Sequence, residues 1–141
     1  MDMGAAFVDA MKADTALAGI ITTFRGSPAV FGQSPVPRRA QRPYIVTATN
    51  ISDIPFDTLD PADGFGRDIR RDIFVYDDHP AGLVRVEQIA ERVRTIFHRQ
   101  RIAPTGWRGV FTTVVSGPLP APTDDSIIGR VLTVRAVITE T

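Results

Sequence analysis

The sequence predicts an α+β domain in which a mainly antiparallel sheet of about four strands carries two helices on one face. Three observations predict it: an apolar stripe with helical spacing in the middle of the chain, strand-like segments on both sides of that stripe, and an amphipathic segment at the N-terminus. The expected order is α-β-β-α-β-β. The length of 141 residues suits one domain, to which we assign residues 1–141.

The N-terminal helix is predicted from Met3, Phe7 and Met11, which are spaced by four and therefore share one helical face. Asp14 is a suitable N-cap for a second, short helical stretch. A brief strand is expected at residues 29–31, which are apolar.

The central helix is the strongest local prediction. Its apolar residues recur at intervals of three and four over nearly four turns, and they are Leu83, Val86, Ile89, Ala90, Val93, Ile96 and Phe97. Four strands are expected from alternation or from enrichment in β-branched residues, at 44–51, 69–76, 107–115 and 127–138.

Long loops are expected at about 32–43, 52–64 and 116–126. Loops of this length in a compact domain are often contact surfaces. The first is basic and the second acidic, and the charged residues that we single out as candidate subunit or partner contacts are Arg38, Arg39, Arg42, Asp53, Asp57, Asp60 and Asp63.

The overall composition excludes several classes of protein. Sixteen basic and sixteen acidic residues cancel, so no net field draws the chain to nucleic acid or to an anionic membrane. The absence of cysteine excludes disulfides, thiolate catalysis and cysteine-based zinc sites. The most apolar stretch, residues 15–24, is about half the length of a membrane span, so no membrane contact is expected. The N-terminus carries Asp2 and no basic segment, so a secretory signal is not expected either.

Residues suited to catalysis or metal binding are scattered. His79 and His98 lie at opposite ends of the central helix, about 30 Å apart, and cannot share a metal or a proton relay. We interpret Asp77 and Asp78 as acids beside the start of that helix, where its dipole favours negative charge. A weak divalent-cation site at residues 77–79 is the alternative.

The sequence does not match the known signatures of ligand-binding loops. Residues 60–64 lack the acids that a calcium loop needs, because Leu59 and Pro61 occupy two of those positions. Gly64 and Gly66 lack the third glycine of a dinucleotide-binding loop, and no phosphate-binding loop or serine nucleophile elbow occurs. We therefore assign no catalytic, cofactor-binding or metal-binding residue, and we expect a protein that is not an enzyme.

Arginine clusters leave a nucleic-acid-binding module as an open alternative. Two sets could contact phosphates: Arg38, Arg39 and Arg42 near Tyr44, and Arg92, Arg99 and Arg101 on the central helix. The neutral charge of the chain favours a solvated loop and a solvated helix face instead. Trp107 is interpreted as a core anchor at the start of a strand. Salt-dependent binding to DNA at micromolar protein would favour the module.

An ordered set of features along nearly the whole chain resembles the tail terminator or tail completion proteins of long-tailed phages and of phage-like particles such as gene transfer agents. The features follow the N-terminal helix, and they are Asp14-Thr-Ala-Leu-Ala-Gly-Ile-Ile, Arg42-Pro43-Tyr44-Ile45-Val46, Asp63-Gly64, Arg71-Asp72-Ile73-Phe74-Val75-Tyr76 and Ile89-Ala90-Glu91-Arg92-Val93-Arg94.

This resemblance implies a structural role in a virion, at the head–tail junction of a particle assembled in the host cytoplasm. Such proteins form a ring, usually of six copies, on the head-proximal end of the tail tube. The ring stops addition of tube protein and presents a joining surface to the head-side connector or stopper. DNA passes through its lumen without being read. Another head–tail joining component of the same particle is the nearest alternative.

In such a ring, we expect the arginines of residues 32–43 to pair with a neighbour's acidic loop, such as residues 53–63. A neutral protomer with separate basic and acidic loops suits the heterologous contacts from which closed rings are built. A competing interpretation places the acidic loop in the lumen, where its negative charge would keep DNA from adhering.

Overall fold

A computed structural model describes residues 2–57 and 65–141 of the chain. The helices are α1 (Met3–Lys12), α2 (Thr15–Ala18) and α3 (Leu83–Phe97). The strands are β1 (Thr23–Phe24), β2 (Ser27–Pro28), β3 (Val30–Phe31), β4 (Tyr44–Val46), β5 (Asn50–Asp57), β6 (Phe65–Asp78), β7 (Trp107–Pro120) and β8 (Ile127–Glu140). The expected α+β class and the mostly antiparallel pairing are confirmed, but the strand count and order differ from the prediction.

Six of the described strands form one sheet, in the order β3-β4-β6-β8-β7 with β5 also paired to β6. The strands β6 and β8 are antiparallel along nearly their whole length, from the Gly66–Thr139 pair to the Asp78–Ile127 pair. The other edge of β6 is shared, because β4 pairs with its C-terminal part and β5 with its N-terminal part. The short β3 is parallel to β4, and β1 and β2 form a separate two-stranded hairpin.

Two strand predictions needed correction. The segment 44–51 is not one strand, because the chain leaves β4 after Val46 and joins β6 again from Asn50, farther along the same edge. Residues 52–57 and 116–120, expected in loops because they contain prolines, belong to β5 and β7. Both are edge strands, which tolerate proline because one side of their backbone has no ladder partner.

The structure confirms the predicted helices. The side chain of Asp2 caps α1 by accepting from the Ala5 amide at 2.9 Å, and Asp14 caps α2 by accepting from the Leu17 amide at 2.8 Å. The apolar stripe of α3 is buried against β6, β8 and β7, although Leu83 at its start is 45% exposed. The rings of Phe7 on α1 and Phe97 on α3 lie 4.7 Å apart, which joins both helices in one core with the sheet.

One cation is buried between this core and the sheet. Arg71 is 5% exposed, and its guanidinium donates to Thr47 Oγ1 at 2.7 Å, to the Thr47 carbonyl at 2.6 Å and to Asn50 Oδ1 at 2.8 Å. Burial lowers the pKa of Arg71, against the attraction of Asp2. The N-terminus of α1 lies directly over the guanidinium, and a Cβ added at Gly4 would come within 2.5 Å of Nη2. Arg71 thus holds the corner where the chain passes from β4 to β5.

Arg71→Lys is expected to lower the free energy of unfolding by about 2–4 kcal/mol, because a lysine cannot donate to all three oxygens at once. Urea unfolding with an unchanged m-value measures this. Arg70→Lys, at the exposed neighbouring position of β6, is the matched control and should change stability by about 0.5 kcal/mol or less. Equal effects of the two substitutions would contradict the role given to Arg71.

Candidate assembly surface

The sheet has one face covered by helices and one face free of them among the described residues. On β6, Ile69, Ile73 and Val75 point to the helices and are fully buried. Phe74 and Tyr76 alternate with them on the opposite face and are only partly buried. An antiparallel sheet can leave one face to solvent, and here that open face has two chemically different halves.

The half near the start of β6 is polar. Arg135 on β8 donates two hydrogen bonds to the Asp68 carboxylate, from Nε at 2.9 Å and from Nη2 at 2.7 Å. The Arg135 guanidinium also lies 5.2 Å from the centre of the Phe111 ring on β7. The hydrogen bond from Arg135 lowers the pKa of Asp68, which outweighs the effect of partial burial. The side chain of Ile54, opposite Asp68 in the β5–β6 register, is 61% exposed at this end.

The other half is aromatic. The Tyr44 ring contacts those of Phe31 and Tyr76 edge to face, at 5.9 Å in both cases, and Phe74 stacks on Tyr76 at 6.0 Å. The rings of Tyr44, Phe74 and Tyr76 line a groove of about 420 Å³, which we call the aromatic trough. Its lining residues come from β4, β6, the start of β8 and three connecting segments, and they are Ser34, Pro35, Val36, Tyr44, Val46, Ala48, Phe74, Tyr76, Pro122, Thr123 and Ile127.

The aromatic trough is uncharged at neutral pH. Burial raises the pKa of Tyr76, and the neighbouring Tyr44 raises it further, so the Tyr76 hydroxyl keeps its proton. Its lining carries no carboxylate or cationic side chain among the described residues. The trough therefore suits an apolar occupant with few polar groups.

The three arginines of residues 32–43 have different environments. Arg42 donates from Nε to Asp78 Oδ1 at 2.6 Å, so an ion pair within the protomer engages it. Arg38 and Arg39 are exposed, and neither has a carboxylate partner among residues 2–57 and 65–141. Two of the three are thus available to a neighbouring molecule, on the loop that forms one wall of the aromatic trough.

The acidic residues predicted to make contacts also differ in their surroundings. Both carboxylate oxygens of Asp53 accept from Arg67 on the adjacent strand, which fixes Asp53 within the β5–β6 hairpin. Asp57 is exposed at the end of β5. Asp60 and Asp63 lie outside the described residues. Among the described residues, the structure does not bring the three arginines together with Asp53 and Asp57, because β5 and the basic loop lie beside opposite ends of β6.

The residues considered for metal or phosphate binding are mostly engaged by other groups of the protomer. Asp77 and Asp78 end β6 rather than begin α3, and the buried Asp77 carboxylate accepts two hydrogen bonds from Arg85, at 2.6 and 2.7 Å. No group of three or more metal-ligating side chains occurs in the described part of the chain. Arg92 is engaged by Asp14, with Nη2 at 2.6 Å from Oδ2. Trp107 packs against the core, as expected.

The aromatic trough is the feature that the sequence analysis missed. Its signal was present, since residues 73–76 are apolar on both faces of the strand. That pattern is typical of a central strand, which β6 is, but its second apolar face remains open. The pairing of Tyr44 with Tyr76 depends on register between distant segments, which local periodicity does not reveal.

No described helix has the combined length and apolar character needed to cross a bilayer.

No protein-family model matches this sequence, and no curated protein sequence matches it. Among solved structures, the fold is similar to a chain in a structure described as the virion of a native gene transfer agent particle. The TM-score is 0.75 and the sequences are 19% identical. The match covers 96% of this chain and 93% of the other, so the two share their fold over nearly their whole length.

The lowered pKa of Asp68 has a testable consequence for stability. The Asp68–Arg135 pair stabilises the fold fully above the ordinary carboxyl pKa of about 4, and this contribution is lost as the pH falls through the lower folded-state pKa. Asp68→Asn should therefore cost about 0.5–1 kcal/mol at neutral pH and less as the pH falls below 4. Chemical unfolding at several pH values tests this. The same series with Asp125→Asn, in an exposed loop, should show no such convergence.

Proposed function

We propose that this chain is a structural component of a phage-like particle and that it acts there as the tail terminator. The observation that carries the proposal is the near full-length likeness of its fold to a chain of a gene transfer agent virion. The ordered sequence features shared with tail terminators support the finer assignment. The role is an assembly role without catalysis.

In this proposal, copies of the chain form a ring, hexameric in the resembling family, on the head-proximal end of the tail tube. The ring ends tube growth and offers its other side to the head connector or stopper. DNA passes through the lumen without specific contacts. Different surfaces at opposite ends of β6 support a ring, because heterologous contacts need one patch for each neighbour.

Removing the gene is expected to give overlong tail tubes of uneven length without heads, because nothing would stop tube polymerisation. Electron microscopy of particles from the producing strain measures tube length and head attachment, and expression of the wild-type chain should restore both. Tubes of normal length that fail to join heads would instead assign the chain to another joining component. Normal particles would remove it from assembly altogether.

Charge pairing between neighbouring protomers is the proposed role of Arg38 and Arg39. Arg38→Glu with Arg39→Glu should increase the fraction of overlong tubes in the complemented deletion strain, because both would face a neighbour's acidic segment. Each exposed pair contributes only about 0–1 kcal/mol, so the defect should be partial, and it should shrink at higher salt because salt screens the repulsion between like charges.

Adding Asp57→Arg to that double variant should restore part of the normal tube length, since opposite charges would face each other again. Arg42 is left unchanged because it is engaged by Asp78. Arg99→Glu with Arg101→Glu, also at exposed positions, is the matched control and should leave tube length normal. A normal phenotype of the Arg38 and Arg39 variant would overturn the pairing.

A further inference from the structure

The strand β5 exposes two large aliphatic side chains that are not buried in the core. Ile51 is 54% exposed and Ile54 is 61% exposed. Both lie on the edge of the sheet beside the start of β6, and Asp57 lies exposed on the same strand. An apolar pair with a flanking acid is thus presented at one end of the molecule.

We propose that the aromatic trough of one protomer receives the Ile51 and Ile54 segment of β5 from a second copy of this chain. This proposal rests on the proposed function, because it supplies the contact that would hold the ring together. In this proposal the occupant of the trough is a neighbouring protomer, not the tube protein or a small molecule.

The two surfaces are complementary in chemistry. The trough is lined by aromatic, aliphatic and proline side chains and is uncharged, which suits the isoleucines of β5. The loop that walls the trough carries the two arginines without carboxylate partners in the described residues, Arg38 and Arg39. The β5 segment brings Asp57, an exposed acid. Apolar contact at the centre with opposite charges at the rim is the usual composition of a specific interface.

Within one protomer, Ile54 cannot reach the Phe74 and Tyr76 rings of the trough, although Ala48, which also lines the trough, is only three residues before Ile51. Ile54 is opposite Asp68 on β6, whereas the trough residues Phe74 and Tyr76 lie six and eight positions farther along the same strand. At about 3.4 Å per residue, this separation is about 20–27 Å along a rigid, fully paired strand. The contact is therefore between molecules, and because the two patches differ, it is heterologous and can close into a ring.

The absence of cysteine from this chain allows a sharp test. Thr123→Cys places a thiol in the trough near Tyr76, far from β5 of the same protomer, and Ile54→Cys places one on β5. The purified full chain carrying both changes, treated with a short bismaleimide at high protein concentration and on assembled particles, should give a ladder of cross-linked species. A mixture of the two single variants should give heterodimers and nothing larger, because each linked molecule has used its only thiol.

The matched control pairs Thr123→Cys with Val84→Cys, since Val84 on α3 is 71% exposed and lies outside the proposed contact. That pair should give no ladder. Adding Ile51→Asp to the Thr123→Cys and Ile54→Cys variant should reduce the ladder about tenfold or more, through the lost apolar burial. Because Ile51 is exposed, this change should leave the melting temperature unaltered. A ladder from the control pair equal to that of the test pair would overturn the contact, as would its absence from both protein and particles.

The gene-deletion experiment separates failure of this contact from failure of the proposed function. Overlong tubes on deletion, without a ladder in complemented particles, would retain the terminator role and reject the trough contact. A ladder together with normal particles on deletion would retain the contact and reject the terminator role.

Discussion

The antiparallel ladder between β6 and β8 is the constraint on which the other elements of this protein depend. It runs from the Gly66–Thr139 pair to the Asp78–Ile127 pair without a register shift. The strand β7 attaches to its outer side, β4 and β5 attach to the other side, and α3 packs across it. Because the ladder is long and fully paired, it holds the two ends of the sheet at a fixed separation. The different surfaces at those ends are therefore parts of one rigid frame.

Because β4 and β5 share one edge of β6, the chain must turn between them. This turn lies beneath the helices and needs polar support there, in the form of hydrogen-bond donors. Arg71 provides this support by donating to Thr47 and Asn50, at the cost of burying a cation whose hydrogen bonds, among the described residues, go to uncharged oxygens. Gly4 allows the first turn of α1 to lie directly over that guanidinium. The position of the N-terminal helix is thus linked to the point where β5 begins, and so to the segment proposed to contact a neighbour.

The sequence predicted those parts of the structure that are encoded locally. The stripe of α3 and the Asp14 cap of α2 depend on residues a few positions apart, and both were found. The division of segment 44–51 and the aromatic trough depend on register between distant strands, which periodicity cannot supply. Charge partners are also nonlocal. Arg42 and Asp53 were candidates for contacts between molecules, but Asp78 and Arg67 engage them within the protomer.

The edges of the sheet have a further consequence, which concerns backbone pairing between separate copies of the chain. A long edge with unpaired backbone groups invites other chains to add strands and grow into fibres. Here β5 carries Pro55, β7 is bulged and carries Pro118 and Pro120, and β3 is only two residues long. Each edge thus resists continuous backbone pairing. The proposed association between copies uses side chains, and the edges of the sheet are in this way unsuited to a competing association through the main chain.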